Sequence, residues 1–426
     1  MQNSLIRDDR IEEPGWVLLS AVIGGTLVVH TPNQFVVRWL DALSASYGVR
    51  FLTAPETLFA VSAARGIIFF ASILVLGFLF LRPVVGYISE RRGLLFPRKV
   101  LVGAAAVFFT AGILVFPTHL GIMGVGYGEM SKDPFGFQDA TNQIYQRLLL
   151  PALAYFLQFR GPLLFHIFSL VLTFLLLLAV ILYLRTRGIE TGFVETLGIA
   201  VSTFVITQFQ SPGYTEQLAL IILLVMESVP LGLGPKIAAA ALALFAHEVS
   251  ILPLIAITLL EFSRKEKAWL GIIVFLYALS WLASYRFDLM SLMSVRAVGG
   301  LPGTTWLFNH PLRELGGILV SYKLLWILIP FALFTRRYAR ETLFLLLPGL
   351  VATCFGVDTS RLMAFSLFAF LIAIVVVKKD RLIPERVLRL LFALNVCLPS
   401  VYIGLNSGLV YFDGLYRLFY RGIFFQ

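Results

Sequence analysis

Long uninterrupted apolar runs constrain this chain more than any other feature. "GIIFFASILVLGFLFL" (66–81), "FSLVLTFLLLLAVILYL" (168–184) and "FSLFAFLIAIVVV" (365–377) are apolar on every side, with no alternation of period two. A β-barrel strand facing lipid and lumen in turn would alternate, so these runs predict transmembrane helices. Of the 426 residues, 59% are hydrophobic and only 14% charged. A soluble chain carries about 25% charged residues. The expected class is an all-α, polytopic integral membrane protein.

The net charge of +10 does not point to nucleic acid. The basic residues fall in short clusters between apolar runs, as the positive-inside rule expects, and the 38 Phe lie largely within those runs. Cys354 and Cys397 sit in apolar surroundings and provide neither a disulfide framework nor metal-ligand spacing. "MQNSLIRDDRIEEPGW" lacks a basic region leading into an apolar one, so no cleaved signal peptide is expected.

Expected spans begin near Trp16, Gly66, Val100, Pro162, Thr191, Gln217, Trp269, Gly316, Glu341, Arg361 and Leu388, about 11 in all. Basic clusters lie at Arg91, Arg92, Arg98 and Lys99; at Arg185 and Arg187; at Lys236; at Arg264, Lys265 and Lys267; at Arg336, Arg337 and Arg340; and at Lys378, Lys379 and Arg381. One cytoplasmic face for all of them requires an even number of crossings between each pair, and the N-terminus is then cytoplasmic. The interval from Lys236 to Arg264 holds "IAAAALALFAHEVSILPLIAITLLEF", only one span long. The charge rule therefore predicts a broken, re-entrant hairpin of two half-helices meeting at "HEVS", which is tolerated where it is packed in protein or lines a wet cavity.

With that arrangement the unusual polar residues gather on the external side, in loops 33–65, 117–161, 208–217, 286–315 and 356–361. The order of features resembles the GT-C class of polytopic glycosyltransferases. An acidic external loop precedes "YQRLLLPALAYFL"; then come "GYTEQLALIILL", "AAALALFAHEVSILPLI" and the polar turn "GVDTSR". The resemblance covers the organisation of residues 100–380. It implies a single transmembrane domain over 1–426, with extra N-terminal spans in 1–99 and a C-terminal span and amphipathic tail in 381–426. It also implies a polyprenyl-phosphate-linked sugar donor, a glycan or lipid acceptor, and a place in the bacterial inner membrane. In that class a carboxylate of an early external loop deprotonates the acceptor hydroxyl, a role that falls here to Asp139 or Asp133. Counted by spans, the loop after the first one would offer Asp41 and Glu56 instead.

Each candidate also has a plainer reading. Asp139 and Asp133 serve as general base, or hold a divalent cation on a phosphate leaving group. Equally, Asp133 before Pro134 initiates a turn, and Asp139 caps the following helix. Arg361 has the fork geometry to receive a lipid phosphate, with Asp358 orienting it; otherwise the two form an ion pair pinning a short turn. Arg147, Arg160 and Arg313 are further phosphate candidates, and Arg147 and Arg160 are alternatively interfacial anchors. His247 and Glu248 are adjacent, and position 251 is Ile, so an HExxH zinc site is excluded. They line a substrate cavity or satisfy a helix break. Tyr214 and Glu216 bind sugar hydroxyls or begin a span.

Two other functions compete. O-antigen-type polymerases and ligases also act on lipid-linked glycans and use external arginines and histidines. A lipid or glycan transporter would show paired broken helices in internal repeats, and only one break is expected here.

Overall fold

The computed structural model of the chain describes residues 15–31, 54–115, 122–136, 147–284, 310–355, 358–402 and 410–411. The protein is helical, with one two-residue antiparallel ribbon pairing Val401 with Tyr411. Among the described residues six helices are long and apolar enough to cross a membrane. They are Phe59–Glu90, Arg98–Val115, Pro162–Thr186, Arg264–Ala283, Pro311–Phe334 and Thr359–Lys379. Other expected spans form helices shorter than these. Trp16–His30 has 15 residues, Glu216–Ser228 has 13 and Glu385–Cys397 has 13, while the segment after Thr191 is split into Phe193–Ala200 and Thr203–Gln210.

The layers follow from the apolar pattern. The Phe59–Glu90 and Arg98–Val115 helices leave Ile67, Phe78, Phe109 and Ile113 exposed, as lipid-facing helices do. The most apolar stretch of Thr359–Lys379 is instead wholly buried inside the bundle. A helix apolar all round belongs there.

The helix expected between Lys236 and Arg264 is broken at His247. Leu233–Ala246 ends at His247, whose backbone is extended, and Ile251–Glu261 follows a short 3-10 turn, Glu248–Ser250. A straight helix from 233 to 261 would separate its ends by about 43 Å. Here the ends converge. Lys236 is ion-paired with Glu266 and its Nζ lies 4.3 Å from the centre of the Phe262 ring.

This convergence is part of one charged face. Arg187 reaches both Glu227 and Glu261 at 3.8 Å. Arg185 donates to the Leu94 carbonyl at 2.6 Å and pairs with Glu190 at 3.3 Å. Lys378 donates to the Glu195 carboxylate at 2.8 Å and to the Glu190 carbonyl at 2.9 Å. Basic clusters far apart in the chain thus share one end of the bundle.

At the other end, tertiary contacts hold the turn that carries Arg361. Pro348 lies inside the Ala339–Phe355 helix and cannot donate a backbone hydrogen bond. Beside Pro348, Ser366 donates to the Leu346 carbonyl at 2.6 Å and accepts the Gly349 N–H at 3.0 Å. A Cβ on Gly349 would stand 2.2 Å from Ser366 Oγ, so only glycine permits the approach. Tyr322 donates to the Met363 carbonyl at 2.9 Å and stacks on Phe370.

Candidate functional site

The helix ends opposite the basic face converge on a buried polar cluster. Glu216 opens the helix whose far end carries Glu227, and Arg361 lies in the first turn of the span that ends near Lys378. At 1.5 Å per residue these helices set the cluster roughly 16–26 Å from the basic face. His247 and Glu248 enter at the apex of the broken helix, and Arg147 enters just ahead of the Leu149–Phe156 helix.

Arg147 grips Glu248 with two prongs. Nε stands 2.9 Å from Oε2 and Nη2 stands 2.7 Å from Oε1, while Nη1 reaches Tyr127 Oη at 3.4 Å. Both side chains of the ion pair are more than nine-tenths buried. A buried guanidinium and carboxylate are tolerable only as such a fork, because each alone would carry an uncompensated charge.

Arg361 makes the second centre. Its Nη2 is 2.9 Å from Asp358 Oδ2, its Nε is 3.3 Å from Glu216 Oε1, and its guanidinium lies over the Tyr214 ring at 4.2 Å. Burial raises the Tyr214 phenol pKa, which the Arg361 charge opposes. The phenol therefore stays neutral at physiological pH, and the guanidinium rests on an uncharged ring.

Glu216 joins the two centres through His247. The Nε2 of His247 stands 3.3 Å from the same Oε1 that faces Arg361, and its Nδ1 accepts the Val249 N–H at 3.1 Å. An Nδ1 that accepts a hydrogen bond leaves the proton of the neutral ring on Nε2, directed at Glu216. The Glu216 carboxylate is fully buried, yet among the described residues neither of its oxygens has a partner in hydrogen-bonding geometry. The same holds for Thr215 Oγ1 and Ser250 Oγ. Such groups await donors and acceptors from a ligand or water.

Of the sequence candidates, the structure brings Arg147, Tyr214, Glu216, His247, Glu248, Asp358 and Arg361 together. Arg147 and Arg361 are buried, which corrects the interfacial-anchor reading of Arg147. Arg160 is exposed and lies over the Tyr155 ring at 3.9 Å. Asp133 stands in an exposed turn, its Oδ1 accepting the Gly136 N–H at 3.0 Å. Arg313 is half-buried in the first turn of Pro311–Tyr322. Asp139, like Asp41 and the Gly356–Val357 part of the polar turn, lies outside the described residues.

Two members of the cluster's surroundings escaped sequence reasoning. Tyr127 is fully buried against Arg147. Glu314, also buried, accepts a hydrogen bond from Thr359 and so ties the Pro311–Tyr322 helix to the Arg361 turn. A carboxylate in the first turn of an apolar span was the available signal for Glu314. Among the described residues no group of three or more histidine, cysteine or acidic side chains is placed to hold a metal ion. The cluster's carboxylates face guanidiniums.

Fold and site together define a helical membrane protein with a buried arginine–carboxylate–histidine centre near one end of its bundle. No protein-family model, curated protein or solved structure matches the chain.

Proposed function

We propose that the protein is a membrane glycosyltransferase of GT-C-like organisation, moving a sugar from a polyprenyl-phosphate carrier to a glycan or lipid acceptor. In this reading the basic face is cytoplasmic, the N-terminus lies on that side, and the cluster faces the extracytoplasmic side of a bacterial inner membrane. The observation that carries it is the juxtaposition of buried Arg361 with Glu216, which faces it and His247 at 3.3 Å without hydrogen-bonding geometry, and with Thr215 Oγ1 and Ser250 Oγ, which have no hydrogen-bond partner among the described residues. A guanidinium suits a phosphate, and unsatisfied carboxylate and hydroxyl oxygens suit the hydroxyls of a sugar.

The chemistry follows from the charges. The acceptor oxygen attacks the anomeric carbon, the bond from that carbon to the carrier phosphate breaks, and the leaving phosphate gains negative charge. Arg361 stabilises that charge, held in place by the Tyr214 ring and Glu216. Asp358 is the most exposed carboxylate of the pair-forming set, with 24% of its side chain accessible. It is the group that yields Arg361 Nη2 to the phosphate. The acceptor proton passes to a carboxylate of the early external loop, Asp139 or Asp133.

The test is carrier capture. A photoreactive undecaprenyl phosphate analogue in proteoliposomes should cross-link near residue 361, undecaprenyl phosphate should compete, and Arg361→Ala should abolish the signal. Donor turnover, read as release of undecaprenyl phosphate from a panel of carrier-linked sugars, should fall in parallel. Labelling that Arg361→Ala leaves unchanged would sink the reading. A polymerase or ligase, the second reading, is favoured by the convergence of Arg147, His247 and Arg361 and would require diphosphate-linked donors.

A further inference from the structure

A second concave site lies at the opposite end of the bundle, within the basic face. Between the start of Arg98–Val115, the end of Pro162–Thr186 and the start of Phe193–Ala200 is a cavity of about 310 Å³. Its lining is divided. Val100, Val107 and Ile181 make an apolar wall, while Lys99, Arg185, Glu190 and Thr191 supply polar groups; Glu190 offsets Arg185, so Lys99 is the uncompensated charge.

These polar groups fit an anion. Lys99 is exposed and has no hydrogen bond or ion pair among the described residues. Arg185 is already oriented, its guanidinium held by the Leu94 carbonyl and Glu190. Thr191 Oγ1 stands 3.1 Å from Thr196 Oγ1, whose one proton has the Gly192 carbonyl at 2.9 Å, so the rotatable Thr191 hydroxyl can turn its proton to a phosphate. Phe193 at the rim and Val102 on the adjoining helix are exposed apolar residues, as at a lipid-facing surface. A basic pocket between membrane helices, open toward lipid, is the setting in which anionic headgroups bind. The volume is at the small end for ligand sites, enough for a headgroup but not for acyl chains as well.

We propose that this cavity binds the phosphodiester headgroup of an anionic phospholipid from the leaflet contacting the basic face. Lys99 and Thr191 meet the phosphate oxygens, and an acyl chain leaves along the apolar wall. The proposal does not depend on the transferase reading, since it uses none of the same residues.

Two variants separate charge from space. Lys99→Glu removes the cation at an exposed position. Gly103→Leu fills the cavity, because a Cβ on Gly103 meets nothing within 4 Å. Native mass spectrometry of the full chain, reloaded with phosphatidylglycerol or phosphatidylcholine, reads the outcome. Wild type should retain phosphatidylglycerol preferentially, and each variant should lower that retention about fivefold or more. Arg92→Glu, on the same face but outside the cavity, should leave it unchanged. Equal retention of the two lipids, an equal loss in Arg92→Glu, or full retention in Gly103→Leu would each overturn the proposal. So would displacement by free glycerol 3-phosphate, which would identify a water-soluble phosphate as the ligand.

Discussion

Arg147 and Glu248, 101 residues apart in sequence, meet in a two-pronged ion pair whose shorter contact is 2.7 Å. Both side chains are buried, so this pair ties the chain ahead of Leu149–Phe156 to the apex of the broken helix. Removing one partner strands the other. Glu248→Ala should cost about 3–5 kcal/mol of stability, whereas Arg147→Met with Glu248→Leu should recover most of that loss. Thermal unfolding in detergent, run as a double-mutant cycle, measures it. Additive losses would mean that the pair is not coupled.

Arg361 should tolerate no replacement. Arg361→Lys keeps a charge but loses the planar fork and the stacking on Tyr214, so transfer should fall about 10²–10³-fold, and Arg361→Ala further still. Asp358→Asn should be milder, because Glu216 still contacts the guanidinium. Turnover assays across the three variants check the order. Asp358→Asn as damaging as Arg361→Ala would show that Asp358 has a direct role.

Tyr214 provides a pH test. With its phenol pKa raised by burial, the ring stays neutral through the range in which an ordinary tyrosine begins to ionise. Burial delays its deprotonation to higher pH than for an ordinary tyrosine, although the Arg361 charge works the other way. Ultraviolet difference titration of wild type against Tyr214→Phe should therefore find less ionisation of Tyr214 at pH 9–10 than an ordinary tyrosine shows. Ionisation of Tyr214 to the ordinary extent in that window contradicts the burial.

Gly349 sets the position of the Arg361 turn. Gly349→Ala would drive its Cβ into Ser366 Oγ and should destabilise the protein by about 1–3 kcal/mol. Adding Ser366→Ala removes the nearest atom and should restore part of the loss. Stability is read by thermal unfolding, with transfer activity followed in parallel, since the same shift displaces Arg361. Unchanged stability in Gly349→Ala would mean that the two helices separate easily.

The two polar ends of the bundle should face opposite sides of the membrane. In a background lacking Cys354 and Cys397, cysteine at Lys132 should react with an impermeant thiol reagent from outside the cell. Cysteine at Glu190 should react only after permeabilisation. Both parent residues are exposed. Reversed labelling would invert the orientation, and labelling of both from one side would refute the two-sided arrangement.

Much of this architecture was legible in the linear chain. Apolar runs without alternation demand helices in lipid, because every backbone polar group must be satisfied within its own segment. Basic clusters spaced by even crossings implied a shared face, and they meet there through Arg185, Arg187, Lys236 and Lys378. The break at His247 was visible for the same reason, since two basic ends cannot flank one ordinary span. What the sequence could not contain was partnership. Glu216 looks like the first residue of a span, and only packing sets its Oε1 between His247 and Arg361. Tyr127 carries no local signal that would mark it and Glu314 only that of a carboxylate opening an apolar span, yet Tyr127 is buried against Arg147 and Glu314 against Thr359 of the Arg361 turn. Periodicity and charge act along the chain and can be read from it. Desolvated ion pairs between distant segments exist only once the helices have packed, so the tertiary structure alone decided the site.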